Sequence, residues 1–396
     1  MLLVAGPDVV WAGVSDEPPY QALAERLMGR GQGIFAVAED GTVLASVAAD
    51  RPVHPASVSK VPSTLALLRG LGPRYRFATR LRGAEPRDGT VAGDLVIEAS
   101  GDPFLLPQSA AYILAGLDEA GVGRVGGRLR VDGPLFFNWK PDPGGKRLQA
   151  ALAGRISQTA WRDAIEKQGR PGDAAARKAA IAFGGKKGAD APSLETLLVH
   201  LSPPLPRILK ELNAYSNNII HPMTDAVGGA TAVERVARAS VPPSLADEIV
   251  ITNAAGLGKT NRLSPRAAVE IQRALGRELA RHGLTVTDVL PVAGRDRGTL
   301  ERRFAGAKIR GAIVGKTGTL PSQQVSALAG VARTERFGDV TFAILNQGIP
   351  VLEARRRQDR FLTALLEDAG AVPFAYDPLP SPILAEETVV TRVGGE

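Results

Sequence analysis

Three short stretches of this 396-residue chain hold side chains able to run a nucleophilic reaction. The first is Ser57-Val58-Ser59-Lys60. On a helical backbone residues i and i+3 share a face, so the Ser57 hydroxyl and the Lys60 amine can meet. A serine hydroxyl is a weak nucleophile until a base takes its proton. A lysine can be that base when burial and nearby cations lower its pKa. Ser59 points away from the face of Lys60 and does not fit the spacing. The second stretch is Tyr215-Ser216-Asn217-Asn218, in the middle of a helical pattern. Ser216 can relay a proton to a leaving amine, and Asn218 can hold both the lysine and an extended substrate. Tyr215-x-Asn217 overlaps it, so spacing alone leaves the register open. The third stretch is Lys316-Thr317-Gly318-Thr319, at the end of a β-like run. Lys316 adds positive charge beside Ser216. Thr317 and Thr319 can bind a carboxylate, and Gly318 leaves room for a substrate along the strand. The backbone N–H groups of Ser57 and Thr319 can pair as an oxyanion hole.

Composition removes other chemistries. The chain has no cysteine, which excludes thiolate nucleophiles, disulfide scaffolds, Fe–S clusters and Cys-type zinc sites. Its four histidines, His54, His200, His221 and His282, are scattered with no HExxH pair, so no metal and no cofactor is expected. No GxSxG elbow anchors a Ser-His-Asp arrangement. Gly121 to Gly126 spells GxGxxG, but it follows a helical pattern and precedes a strand, the reverse of a dinucleotide site. Gly256-Leu-Gly-Lys-Thr260 lacks the first glycine of a P-loop. The net charge of +7 is mild. The longest basic run, Arg355 to Arg357, falls in a helical pattern and reads as a solvated helix face, so nucleic-acid binding is not expected. No stretch is long and apolar enough to span a membrane. The N-terminal MLLVAGPDVVWA is apolar but short, without a basic start, and makes a poor signal peptide.

The elements that must position these residues can be read from pattern. Residues 33–38 and 42–47 flank an Asp40-Gly41 turn and read as a β-hairpin. A helix opens at Ser57 and runs to about Gly70, with Pro62 in its second turn at the cost of a hydrogen bond. From 74 to 137 short strands (77–81, 93–98, 127–131) surround a helix near 108–120. Residues 138–145 read as a Pro/Gly linker, and 146–192 are poorly patterned. Helices are expected at 205–228, 230–239, 264–281 and 352–369, and strands at 311–317, 325–333 and 340–346. The tail after Pro373 reads as loosely packed.

The serine, the SxN and the KTG, in this order, form the motif set of penicillin-recognising serine enzymes. The flanks sharpen this. PASVSKV, GDLVIEASGDPFL, HLSPPLPRILKELNAYSNN, LPVAGRDRGTLERRF and GKTGTLPSQQVSALAGVA cover most of residues 33–348. On these stretches the chain resembles the D-alanyl-D-alanine carboxypeptidase/endopeptidase family, the class C low-molecular-mass penicillin-binding proteins. The resemblance settles the register on Ser216 and Asn218. It implies an exported, periplasmic or otherwise extracytoplasmic enzyme that removes terminal D-alanine from peptidoglycan muropeptides, or cuts D-alanyl cross-links, through an acyl-Ser57. Penicillins and other β-lactams would acylate the same serine. Two departures stand out. Residues 141–192 are short for the second insertion that family members usually carry. The loop Asn253-Ala254-Ala255-Gly256-Leu257-Gly258 stands where the family commonly has DGSGLS, losing a carboxylate and two hydroxyls.

The expected fold is α/β (α+β): a serine β-lactamase/transpeptidase-like domain with an antiparallel sheet flanked by helices and an inserted smaller α+β domain. The catalytic domain is split as 1–74 and 193–385, the insertion is 75–192 and the tail 386–396. Catalytic roles fall to Ser57, Lys60, Ser216, Asn218 and Lys316, and substrate binding to Thr317, Gly318 and Thr319. The rival readings are a catalytically weak or inactive muropeptide-binding protein and a serine β-lactamase. The latter is disfavoured because residues 219–310 hold no Glu-x-x-x-Asn loop to activate a deacylating water.

Overall fold

The structure is a computed structural model and describes residues 18–29, 31–167, 180–186, 193–378 and 389–392. The N-terminal MLLVAGPDVVWA lies outside the described residues. So do 168–179 and 187–192, part of the stretch 141–192 where the second insertion is expected.

Two sheets organise the chain. The central one is built from β1 (Gly33–Val37), β2 (Val43–Val47), β7 (Ile313–Leu320), β8 (Val325–Thr334) and β9 (Gly338–Gln347), in the order β7-β8-β9-β1-β2 and antiparallel throughout. The second contains β3 (Ala78–Gly83), β4 (Leu95–Ala99), β5 (Leu129–Asp132), β6 (Glu195–Leu201) and β10 (Val389–Arg392), in the order β10-β6-β3-β4-β5.

The central sheet is covered on both faces, and alternation along its strands shows how. Phe35 and Val37 join one apolar cluster with Ala343 and Leu345, while Ile34 and Ala36 join another with Phe342 and Ile344. Side chains two residues apart share a face, so each strand feeds both layers. Helices α2 (Lys60–Leu71), α4 (Leu205–Ala214) and α5 (Pro265–Ala280) cover the first face. Helices α1 (Gln21–Met28) and α6 (Val351–Ala369) cover the second. Ser264 caps α5, its Oγ accepting from Ala267 N at 3.1 Å. The second sheet packs with α3 (Pro107–Glu119) around a separate core that includes Leu81, Ile97, Ile113 and Leu198. This is the expected α/β arrangement, an antiparallel sheet flanked by helices with a smaller α+β unit beside it.

Several expectations need correction. Residues 138–145 are not a plain linker. Phe136–Phe137 pairs antiparallel with Lys140–Pro141, and Asn138 and Trp139 between them have φ of 49° and 64°. Two consecutive left-handed residues give a tight hairpin turn. Trp139 then stacks edge-on against Phe104 at 4.8 Å between ring centroids. The tail is not uniformly loose, because Val389–Arg392 pairs with Leu198–Leu201. Strand β6, expected to open the second part of the catalytic domain, lies instead between β10 and β3 in the second sheet. Pro62 breaks no helical ladder. The chain winds as a 3-10 turn over Ala56–Ser59 and α2 begins only at Lys60, so Pro62 falls in the first helical turn, where amides lack intrahelical partners.

Candidate active site

The nucleophile turn is pinned from both sides. His54 is fully buried, and its Nδ1 accepts from the amide of Ala56 at 3.0 Å. Ala56 is left-handed at φ 46°, which turns the chain into the 3-10 segment carrying Ser57. Tighter winding stacks i over i+3, and Lys60 Nζ lies 3.0 Å from Ser57 Oγ. Two glycines close on this turn. A Cβ at Gly256 would collide with the carbonyl oxygen of Ala56, and one at Gly318 would lie 2.6 Å from Pro55 O and 3.1 Å from Ser57 N. Strand β7 and the 253–258 loop thus reach the backbone of Ser57 only because those positions carry no side chain.

Lys60 is fully buried, and its amine meets three oxygens. Besides Ser57 Oγ, these are Asn218 Oδ1 at 3.0 Å and the carbonyl of Ala255 at 2.9 Å. The last two can only accept. As a neutral amine, Lys60 therefore spends its two hydrogens on them, and its lone pair is left facing the Ser57 hydroxyl. Burial lowers its pKa to about 7, so the neutral form is present near neutral pH. Lys316 is also fully buried, and its Nζ donates to Ser216 Oγ at 3.0 Å and to Thr317 O at 2.8 Å. Its pKa lies well below the ordinary lysine range, through burial first and then the charge of Lys60.

Ser216 and Asn218 do not sit mid-helix as the sequence pattern predicts. Helix α4 ends at Ala214, and the chain resumes helical winding only at Ile220. Between them Ser216 has φ 54°. A non-glycine residue held left-handed is strained, and such strain gathers at functional sites. The turn is held by Asn217 N donating to Leu212 O at 2.8 Å and by Asn217 Oδ1 accepting from Ile219 N at 3.0 Å. Gly298 presses on its other side, since a Cβ there would collide with Ala214 O. Thr299 N then donates to Ala214 O at 2.9 Å. The motif Lys316–Thr319 lies in the later part of β7, one residue short of its end.

These side chains border one cleft of about 680 Å³, lined by Ser57, Ser216, Asn218, Thr299, Thr317 and Thr319 together with Leu257, Leu352, Arg303, Arg355, Arg356 and Asp359. Thr317 Oγ1 donates to Thr299 Oγ1 at 2.8 Å. A nucleophile with a buried amine beside it, a second serine bonded to a second buried lysine, and strand hydroxyls along an open cleft together suit acyl transfer to serine. Among the described residues no group of three or more His, Asp or Glu side chains is placed to hold a metal ion.

The sequence model of the D-Ala-D-Ala carboxypeptidase 3 (S13) family matches residues 20–146 and 176–367. The chain belongs to that family. It is therefore a serine peptidase of the S13 type. Solved structures share the fold. A penicillin G-acylated predatory endopeptidase from Bdellovibrio bacteriovorus is 22% identical, with TM-score 0.76 over 91% of this chain and 98% of that one. A second predatory endopeptidase of the same organism is 21% identical, with TM-score 0.74 over 90% and 98%. Penicillin binding protein 4 from Haemophilus influenzae is 19% identical, with TM-score 0.64 over 88% and 98%.

In this S13 peptidase all eight residues singled out from the sequence come together at the cleft or directly beneath it. Ser59, set aside on spacing, is buried and its Oγ accepts from Asn261 Nδ2 at 2.9 Å. His221 does not line the cleft; its Nδ1 accepts from Ala254 N at 3.4 Å and steadies the 253–258 loop. Sequence reasoning missed three contributors. The Ala255 carbonyl is a backbone group, invisible to a search over side chains. Thr299 lies in LPVAGRDRGTLERRF, a stretch that carries the family resemblance but in which no spacing marks that threonine. Arg355, read as part of a solvated face, half-buries itself against the site, with Nη2 donating to Thr319 Oγ1 at 2.8 Å.

Proposed function

We propose that this S13 peptidase works as a D-Ala-D-Ala carboxypeptidase, and as an endopeptidase on D-alanyl cross-links, through an acyl-enzyme on Ser57. The observation that carries the reading is the three-way contact of Lys60 with Ser57, Asn218 and Ala255; in the neutral amine two hydrogens serve the last two and the lone pair is left to Ser57. Lys60 takes the Ser57 proton as Oγ bonds to the carbonyl between two D-alanines. The developing oxyanion lies toward the N–H groups of Ser57 and Thr319. The C–N bond breaks as Ser216 gives its proton to the leaving amine and is resupplied from Lys316. Asn218 positions Lys60 and the peptide. Thr317 and Thr319 hold the terminal carboxylate, and Gly318 keeps the strand open to the substrate. Once the proton that Lys60 took from Ser57 has passed on to Lys316 through the Ser216 relay, neutral Lys60 deprotonates water; the hydroxide attacks the ester, and Ser57 Oγ takes the proton back from Lys60 as the acyl C–O bond breaks.

Peptidoglycan muropeptides are the proposed substrates and β-lactams the proposed acylating inhibitors. The proposed setting is periplasmic or otherwise extracytoplasmic, where such polymers lie. Among the described residues no helix is long and apolar enough to cross a membrane. The proposed division keeps the split catalytic domain but assigns β6 and β10 to the inserted unit, whose sheet they join. Release of D-alanine from a D-Ala-D-Ala peptide tests the reading. Lys60→Ala is expected to lower it on the order of 10²- to 10⁴-fold, the usual contribution of a general base. Turnover at the wild-type rate would remove Lys60 from that role.

A further inference from the structure

The first turns of α6 bring Arg355 and Arg356 to the cleft, with Arg357 next in sequence, and the surroundings of the arginines here differ. Arg357 Nε lies 2.9 Å from Glu353 Oε1. Arg303, facing α6 from the LPVAG segment's continuation, is paired with Asp359, Nε to Oδ1 at 2.9 Å. Arg355 has no carboxylate within 4.0 Å among the described residues. Its Nη2 donates to Thr319 Oγ1 at 2.8 Å, and it lines the cleft that also holds Ser57. Its charge is felt by its neighbour, since Arg355 adds to burial in lowering the pKa of Arg303. Arg355 thus brings to this cleft a guanidinium with no carboxylate partner among the described residues, beside that of Arg303, and a substrate anion can supply the partner.

The position of Arg355 says which anion. In the reaction proposed above, Thr319 offers its backbone N–H to the oxyanion and its hydroxyl to the carboxylate of the departing residue. A guanidinium on the Thr319 hydroxyl therefore stands beside the leaving amine, and its planar fork matches a carboxylate. We infer that Arg355 is a specificity residue on the leaving-group side, taking the carboxylate borne by the carbon next to the departing nitrogen. The inference rests on the peptidase reading above and deepens it. A leaving D-alanine carries such a carboxylate. So does any cross-linking amino acid whose attacking amine came from an amino-acid centre with its acid group free. A leaving group capped as an amide does not.

The test compares two substrates, an acyl-D-Ala-D-Ala peptide with a free C-terminal acid and the same peptide ending in D-alaninamide. Wild type is expected to favour the acid, read as the ratio of kcat/KM values. Arg355→Gln is expected to reduce that ratio on the order of 10- to 100-fold, as loss of a charge-assisted contact does. Arg355→Lys, which keeps the charge and loses the fork, is expected to recover part of it. An unchanged ratio in Arg355→Gln, with both substrates slowed equally, would mean that Arg355 only props Thr319 and would overturn the inference. Wild-type enzyme that turns over both peptides at equal kcat/KM would overturn it alone. Wild-type enzyme that releases nothing from either would sink the peptidase reading, and the inference with it.

Discussion

Lys60 and Lys316 are two buried amines whose environments differ in what they leave free. The hydrogens of Lys60 are absorbed by Asn218 and Ala255, so its lone pair is available; Lys316 is spent on Ser216 and a backbone carbonyl. This sets the direction of the pH dependence. With the Lys60 pKa at about 7, protonation below that value removes the base. The rate of acylation, as kcat/KM, should rise with pH and level off above about 7. A flat profile from pH 5 to 9 would remove the titrating lysine from the account. Ser216 gives a second residue-scale prediction. At φ 54° glycine is at ease and alanine is strained. Ser216→Gly should therefore be more stable than Ser216→Ala by about 1 kcal/mol, seen as a higher Tm, while both lose D-alanine release with the hydroxyl. Equal melting temperatures would show that the turn carries no strain. The chemistry-bearing side chains were legible because serine, lysine and asparagine at fixed spacings are distinctive. Arg355 was not, because a basic run on a helix reads the same whether it meets water or a cleft.

At the scale of elements, the site depends on loops anchored from behind. Helix α4 carries a buried lysine, Lys210, whose Nζ donates to Leu290 O at 2.7 Å and lies 2.6 Å from Asp296 Oδ2. Asp296 also accepts from Val292 N at 2.7 Å and from Tyr376 Oη at 2.8 Å. This network ties the LPVAG segment to α4, and so fixes the Thr299 loop against the Ser216 turn. Removing one partner of a buried pair leaves the other charge uncompensated, at about 3–5 kcal/mol. Asp296→Ala should lose stability of that order in urea unfolding; a loss below 1 kcal/mol would place the loop's anchorage elsewhere. Most elements were readable, since the β1–β2 hairpin and helices α5 and α6 have strong periodicity and clear ends. The breaks at Ser216 and at Ala56–Ser59 were not. In both places the residues retain helical propensity, and tertiary contacts override it: Gly298 on Ala214, and Gly256 and Gly318 on the Ser57 turn.

Across the whole molecule, the serine and the two lysines belong to the central sheet and its helices, while the second sheet stands apart with its own core. Strand β10 closes the edge of that second sheet by pairing with β6. Deleting residues 389–396 should thus lower the Tm by a few degrees through exposure of the β6 edge, yet leave acylation by penicillin unaltered. Loss of acylation in a folded truncated chain would mean that the two sheets are coupled more tightly than their separate cores imply. The overall architecture was legible through the family resemblance that the motif-bearing stretches carry. The place of β6 could not. Its residues follow the insertion in sequence and pair with strands that precede it, a long-range contact that local pattern does not encode.

The central claim, that Ser57 is the acylated nucleophile, is tested most directly by intact-protein mass after mixing with benzylpenicillin, on wild type and Ser57→Ala side by side. The account predicts a persistent adduct of one penicillin on wild type and none on the variant. An adduct on both, or on neither, would contradict it.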